Sequence, residues 1–296
     1  MSESGGDPSG SIPPAIDAAL AWYASNGRQL AFRRTDDPWA VLVSEVMAQQ
    51  TQAARAADAW STFIERYPTP ASLARASSAD VIRAWRGLGY NRRAVALRAA
   101  AVRIVDDHGG RVPGTLEALI ALPGIGPYTA RAILAIAFGR AVAALDTNIR
   151  RVLDRAVGPL PAAPLARQST ADRFVPEGQS AAWTHALMDI GATFCVKRAP
   201  RCGRCPIAPH CAFQGGAVTN ARTAARPAPR FESTNRWLRG RILNRLRDAP
   251  ASTWVSFDAA LGEHEVETVQ RALSALASEG LLERDAAEPN RARLHA

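Results

Sequence analysis

Every cysteine in the chain falls within one short stretch, CVKRAPRCGRCPIAPHC, at Cys195, Cys202, Cys205 and Cys211. The gaps between them are six, two and five residues. Four thiolates gathered by one loop suit a tetrahedral zinc or an iron–sulfur cluster, and the spacing by itself leaves both open. A disulfide framework fits poorly, because a chain of 296 residues can build a core without covalent staples. The start, MSESGGDPSGSIPP, is polar, acidic and glycine-rich. It reads as a disordered tail rather than a signal or transit peptide.

Two carboxylates far upstream also have the makings of chemistry. Glu45 lies in WAVLVSEVMAQQTQ, among Val41, Leu42, Val43, Val46 and Met47. A carboxyl group in apolar surroundings holds its proton to higher pH and can act as a proton donor near neutrality; on an amphipathic helix it would be an ordinary surface acid. Asp146 precedes a helical stretch in ALDTNIRRV, a place where aspartate is also a common N-cap. Between the two acids, LPGIGPYTA sets Gly124 and Gly126 between apolar helical segments. Such glycines permit a tight bend, and the next helix offers free N–H groups to an anion; a plain helix connector has the same look.

The formal net charge is +9, carried almost wholly by arginine. That balance favours a polyanionic partner such as nucleic acid, although an arginine- and alanine-rich composition dilutes the inference. Lys197, inside the cysteine loop, is the only lysine. Schiff-base chemistry needs a desolvated amine, so lysine-based lyase activity is not expected. No run of about 18 apolar residues marks a membrane span.

These residues must be positioned by helices. Helical pattern is expected over IPPAIDAALAWYASNG, over 37–68 as two helices or one sharply bent at QQTQ, and over 71–75, 78–86 and 91–107. Helix, glycine turn, helix follows, then helices at 147–157, 166–175 and 179–194. QGGAVTNARTAARPAPR is a linker by composition. Beyond it, two amphipathic helices and a short strand-like end suggest a small winged-helix-like α+β module. The division expected is a tail at 1–11, a helical domain at 12–218, a linker at 219–232 and the module at 233–296.

SEVMAQQTQ, GLGY, LPGIGPYTA, LDTNIRRVL and the cysteine block, in this order, resemble the adenine DNA glycosylase family of the endonuclease III superfamily, over about residues 12–215. The resemblance implies an all-α helix-hairpin-helix DNA glycosylase fold of two helical subdomains with a [4Fe-4S] loop held by the four cysteines. It implies a monofunctional enzyme that hydrolyses the N-glycosidic bond of adenine mispaired with 8-oxoguanine or guanine, since Tyr128 stands where glycosylase-lyases carry a lysine. Glu45 would protonate the leaving base and Asp146 would stabilise the cationic sugar, with Tyr128 and Asn148 orienting them. Arg28 and Arg33 match positions near the base pocket. Gln49, Gln50, Thr51 and Tyr90 would fill the gap or wedge the opposite strand. Gly124 and Gly126 would sit on the DNA backbone, as would Lys197, Arg198 and Arg201. The implied partner is double-stranded DNA, bound by a cytoplasmic, nucleoid-associated monomer.

The match has departures. His185 stands beside the expected adenine pocket where the family usually has Glu or Gln, and Phe32 and Ala48 replace a more usual Trp and Leu. The C-terminal segment is too short for the Nudix-related domain that recognises 8-oxoguanine, which leaves that preference open. The smaller module is either a DNA-binding element, with Arg236, Arg239, Arg241 and Arg245 as candidate contacts, or a packing element. Two rivals stand: a thymine glycosylase acting on T·G mismatches, and a non-catalytic iron–sulfur DNA-binding protein.

Overall fold

Local signals account for most helix starts. Asp37 accepts a hydrogen bond from the Ala40 N–H while Pro38 occupies the first turn, and Thr69, Ser77, Thr115, Asp146 and Thr234 cap other helices through their side chains. The computed structural model describes residues 13–213 and 230–295. The expected tail at 1–11 and most of the expected linker at 219–232 lie outside the described residues. The first part runs α1 (Pro14–Asn26), α2 (Pro38–Ala48), α3 (Ala53–Arg66), α4 (Pro70–Ala74), α5 (Ser78–Ala84) and α6 (Arg92–His108). It continues through α7 (Leu116–Ile120), α8 (Pro127–Ala137), α9 (Thr147–Ala156), α10 (Pro164–Asp172) and α11 (Ser180–Thr193). Among the described residues no helix is long and apolar enough to cross a membrane.

Two apolar cores divide these helices. The first is built by α2 to α8, around Leu42, Met47, Phe63, Trp85, Leu97 and Ile133. The second joins α1 to α9, α10 and α11, around Ile16, Leu153, Trp183 and Ile190, and takes in Ile207 of the cysteine loop. The chain therefore leaves the second core after α1, builds the first, and returns at α9. Residues from opposite ends of the sequence meet where the cores adjoin. The stretch at QQTQ is a true break: α2 and α3 are separate helices, and Gln50 sits in the left-handed backbone region at φ 54°.

The last part comprises α12 (Asn235–Asp248), β1 (Val255–Ser256), α13 (Val266–Ser278), β2 (Leu282–Arg284) and β3 (Arg291–Leu294). The strands form an antiparallel sheet in the order β1-β3-β2, with Val255 opposite Ala292 and Leu282 opposite Leu294. Two helices backed by such a sheet give the winged-helix-like arrangement. A third core, including Leu238, Phe257, Leu273 and Leu282, reaches across to Ile82 of α5. Arg247 adds polar fastening: its guanidinium donates to the Ile82 carbonyl at 2.9 Å and to Asn91 Oδ1 at 2.7 Å. Burial pulls that guanidinium down to about 10.

Candidate active site

Glu45 projects from α2 of the first core, and Asp146 opens α9 of the second. The two acids are close enough to influence each other's charge. Burial pushes the Glu45 carboxyl up to about 7; the Arg33 cation opposes this, Asp146 adds to it, and a hydrogen bond from the Tyr128 hydroxyl opposes it. Burial likewise raises the Tyr128 phenol, with the Glu45 and Asp146 charges next. Glu45, Tyr128 and Asp146 thus form one electrostatic unit across the junction of the cores.

Asp146 is both an N-cap and a member of this unit. Its Oδ1 accepts from the N–H groups of Asn148 and Ile149 at 2.8 and 2.6 Å, while Oδ2 accepts from Asn148 Nδ2 at 2.9 Å. Asn148 is held from its other side by Arg151, which donates to Asn148 Oδ1 at 2.7 Å and to the Gly191 carbonyl at 2.8 Å. A Cβ at Gly191 would lie 2.6 Å from Asn148 Cβ, so the close approach of α11 to this turn requires glycine.

Arg28 and Arg33 converge on Asp189, which is fully buried on α11. The Arg28 N–H donates to one carboxylate oxygen at 3.0 Å and its Nε to the other at 2.6 Å; Arg33 spans both, at 2.8 and 2.9 Å. Burial tends to raise the Asp189 carboxyl, but the Arg33 and Arg28 bonds and charges hold it below the usual range. Arg33 Nε is buried with no hydrogen-bond partner. Arg33 also lines a cavity of about 440 Å3 with Tyr23, Ile136 and His185. Burial, then the Arg33 charge, pulls His185 down to about 3, so its imidazole is neutral at pH 7.

The QQT and GLGY turns are tied together. Gln49 donates to Thr129 Oγ1 at 3.2 Å, linking α2 to the glycine turn, and Thr51 Oγ1 donates to the Leu88 carbonyl at 3.4 Å. Arg93 braces both turns through the carbonyls of Val46, Met47, Gln49, Leu88 and Gly89 and through Thr51 Oγ1. Above this brace Tyr90 is 44% exposed and adopts φ 43°. In the glycine turn, Gly124 has φ 79°, whereas Gly126 caps α8 without a side-chain bond and has open space where a Cβ would be. The first N–H groups of α8 are left without a side-chain partner.

The four cysteines line one cavity of about 330 Å3, walled by apolar groups including Val152, Phe194, Ile207 and Phe213. Burial pushes the Cys205 thiol up, and the other three thiols add to it. Among the described residues no three His, Cys, Asp or Glu side chains are arranged to hold a single metal ion. Four thiols lining one apolar cavity are a donor set that suits a tetrahedral zinc or an iron–sulfur cluster. Arg155 fastens the loop to α9, donating to the carbonyls of Val196 and Lys197 at 2.9 and 3.1 Å and to Cys195 Sγ at 3.4 Å. Lys197, Arg198 and Arg201 are exposed on the cysteine loop.

Asp189, Arg93, Arg151, Arg155 and Gly191 were not singled out by sequence reasoning. Asp189 did carry a signal: an acid inside the apolar run ALMDIG is as conspicuous as Glu45.

Residues 43–172 match the family described as HhH-GPD superfamily base excision DNA repair protein. The chain is 40% identical over 272 residues to the adenine DNA glycosylase of Mycolicibacterium smegmatis, covering 90% of this chain and 92% of that protein. The structure of a thermostable thymine-DNA glycosylase superposes with a TM-score of 0.63 at 28% identity, over 67% of this chain and 94% of that one. A trapped endonuclease III–DNA covalent intermediate superposes with a TM-score of 0.58 at 23% identity, over 68% and 93%, a likeness of fold.

Proposed function

The chain belongs to the adenine DNA glycosylases of the HhH-GPD superfamily, base excision repair enzymes that hydrolyse N-glycosidic bonds in DNA, and from that premise we propose that it removes adenine mispaired with 8-oxoguanine or guanine. The observation that carries this reading is the pairing of Glu45 and Asp146, drawn from two separate cores into one electrostatic unit.

Breaking the bond requires protonating a poor leaving base and stabilising an oxocarbenium-like sugar. With its carboxyl raised to about 7, Glu45 keeps a transferable proton at neutral pH and gives it to the adenine ring nitrogen. The Asp146 carboxylate, fixed by three hydrogen bonds, faces the departing sugar and stabilises its positive charge. Tyr128 orients Glu45, and Asn148, braced by Arg151, orients Asp146. The neutral His185, on the cavity it shares with Tyr23 and Arg33, offers polar recognition to an extruded base. Water attacks the sugar and the strand stays intact, because the position of a lyase lysine is Tyr128.

Gln49, Gln50, Thr51 and Tyr90 occupy the gap left by the base. The α8 amino terminus, with Gly124 and Gly126, and the rim of Lys197, Arg198 and Arg201 hold phosphates. Cys195, Cys202, Cys205 and Cys211 would hold a [4Fe-4S] cluster whose contribution is to fix that rim. The protein acts as a monomer, with a helical domain 12–218 and a module 233–296 docked on it through Ile82 and Arg247.

Incubation with duplexes containing A opposite 8-oxoguanine, A·G or T·G, followed by alkali, tests the substrate. Breaks are expected at both adenine mismatches, and only after alkali. Likeness to a thymine-DNA glycosylase makes T·G the informative control: breaks there alone would establish the thymine reading instead. Binding without breaks, from protein carrying about four irons per chain, would leave a non-catalytic DNA-binding protein.

Gly191→Ala gives a subtler check. The added methyl presses on Asn148 and displaces the turn that holds Asp146. Single-turnover excision is expected to fall about ten- to a hundredfold while duplex affinity changes little. An unchanged rate would separate Asn148 placement from catalysis.

A further inference from the structure

Arg28 and Arg33 share the single carboxylate of Asp189, so one positive charge of this cluster stands unbalanced. The Asp189 side chain is wholly buried and that of Arg33 is 5% exposed, whereas Arg28 reaches solvent. Asp189 belongs to α11 of the second core, while Ala31 and Phe32, next to Arg33, pack on the first. The pair is therefore a tie across the junction of the cores, and its two-pronged geometry fixes the plane of the Arg33 guanidinium. Apolar groups of similar shape tie two cores at least as well as a buried ion pair. What the pair adds is a cation held in one place. That cation acts on Glu45: after burial it is the strongest influence on the carboxyl, and it favours the ionised form. Glu45 also faces Tyr128 of α8 and Asp146 at the start of α9. Arg93 of α6 is engaged with the carbonyls of Val46 and Met47, and the buried residues of α3 carry no charge. Arg33 in turn faces Tyr23 of α1, at 5.8 Å from the ring centroid, and the neutral His185 of α11, and shares a cavity with Arg34 and Asp36. Among the described residues Asp189 is the carboxylate bonded to its guanidinium.

We propose that Asp189 is a positioning residue for base excision that acts through Arg33: it clamps the guanidinium at the junction of the two cores and offsets its charge toward Glu45. Without Asp189 the Arg33 charge stands uncompensated, and a nearby cation favours an ionised carboxyl. Glu45 then gives up its proton to solvent at lower pH, before a base can take it. Removing Arg33 has the opposite sign, because the cation that favours ionisation is gone. With Arg33 absent, the loss of Asp189 no longer matters to Glu45. That non-additivity separates action through Arg33 from a general loosening of the fold. The inference rests on the reading of Glu45 as proton donor, but its test does not need catalysis.

The test is an NMR titration of the Glu45 carboxyl in the full chain, made with carboxyl-labelled glutamate. The Glu45 resonance is the one missing from the Glu45→Gln spectrum. Its midpoint in the parent is expected at about 7. Asp189→Asn should lower the midpoint by about one pH unit, and Arg33→Gln should raise it by about as much. Asp189→Asn added to Arg33→Gln should leave it within about 0.3 unit of Arg33→Gln alone. Asp189→Glu keeps the charge and should keep the parental midpoint. Single-turnover excision follows the same shift: in Asp189→Asn it falls about tenfold at mildly alkaline pH, and most of that loss is recovered in acidic buffer. A parental midpoint in folded Asp189→Asn, or a shift as large without Arg33 as with it, would overturn the proposal. Should Asp189→Asn alone not fold, the Arg33→Gln background decides. A midpoint that Arg33→Gln leaves unmoved, or that Asp189→Asn then lowers, overturns it equally. Shifts as expected in a protein that cleaves no adenine mismatch would sink the adenine reading and leave the coupling of Asp189 to Glu45 standing.

Discussion

Replacing Glu45 by Gln is expected to lower single-turnover excision about 10²- to 10⁴-fold, the range for loss of a general acid, while binding of a mismatched duplex persists. Gln keeps the shape and can still accept the Tyr128 hydrogen bond, so the change isolates the proton. The same variant should be more stable than the parent at pH 8. A carboxyl whose folded value is raised contributes stability that is fully present below about 4.5 and is lost as pH rises to about 7. Above that window the parent carries a cost of about 3 kcal/mol that Gln does not. Melting curves at pH 8 and pH 4.5 check this: the gap between parent and variant should be wide at the first and narrow at the second. A variant that excises at the parental rate would remove Glu45 from the chemistry.

Asp146→Asn is the second large effect. Asparagine caps helices as well as aspartate, so α9 survives. It cannot balance a cationic sugar, and excision should drop at least about a hundredfold. The structure adds a detail. Asn148 is held by Arg151 on its Oδ1, so its amide cannot turn to accommodate a second amide group. The Asn148 Nδ2 bond to position 146 is then lost, and stability should fall by about 1 kcal/mol. Excision close to the parental rate in a folded Asp146→Asn protein would show that the carboxylate acts as a cap alone.

How far these features could be read in advance depends on their range. The cysteines, the Glu45 environment and the glycine turn are local, because residue type and spacing within about ten positions carry the signal. The N-cap that the position of Asp146 suggested is present, with one oxygen on the helix end and the other accepting from Asn148; its part in catalysis is the proposal. The polar interruption at QQTQ marked a break, but only the backbone shows the strained Gln50. The Asp189 anchor for Arg28 and Arg33 joins residues more than 150 positions apart, and no periodicity encodes such a pairing. Strand β1, two residues long and paired with Arg291 and Ala292, is too short to show alternation. The arginines of α12 were equally hidden: four looked equivalent in sequence, and packing sets Arg236 over Tyr90, pairs Arg239 with Glu279 and stacks Arg245 on Phe257.

The most direct test of a proton donor at position 45 is the pH dependence of single-turnover excision on A opposite 8-oxoguanine, measured with protein in excess. Only the protonated Glu45 can serve, and burial places its midpoint at about 7. The rate should be level in mildly acidic buffer and fall about tenfold per pH unit above neutrality. A rate that stays constant from pH 6 to pH 9 in protein that remains folded and bound to DNA would contradict the account.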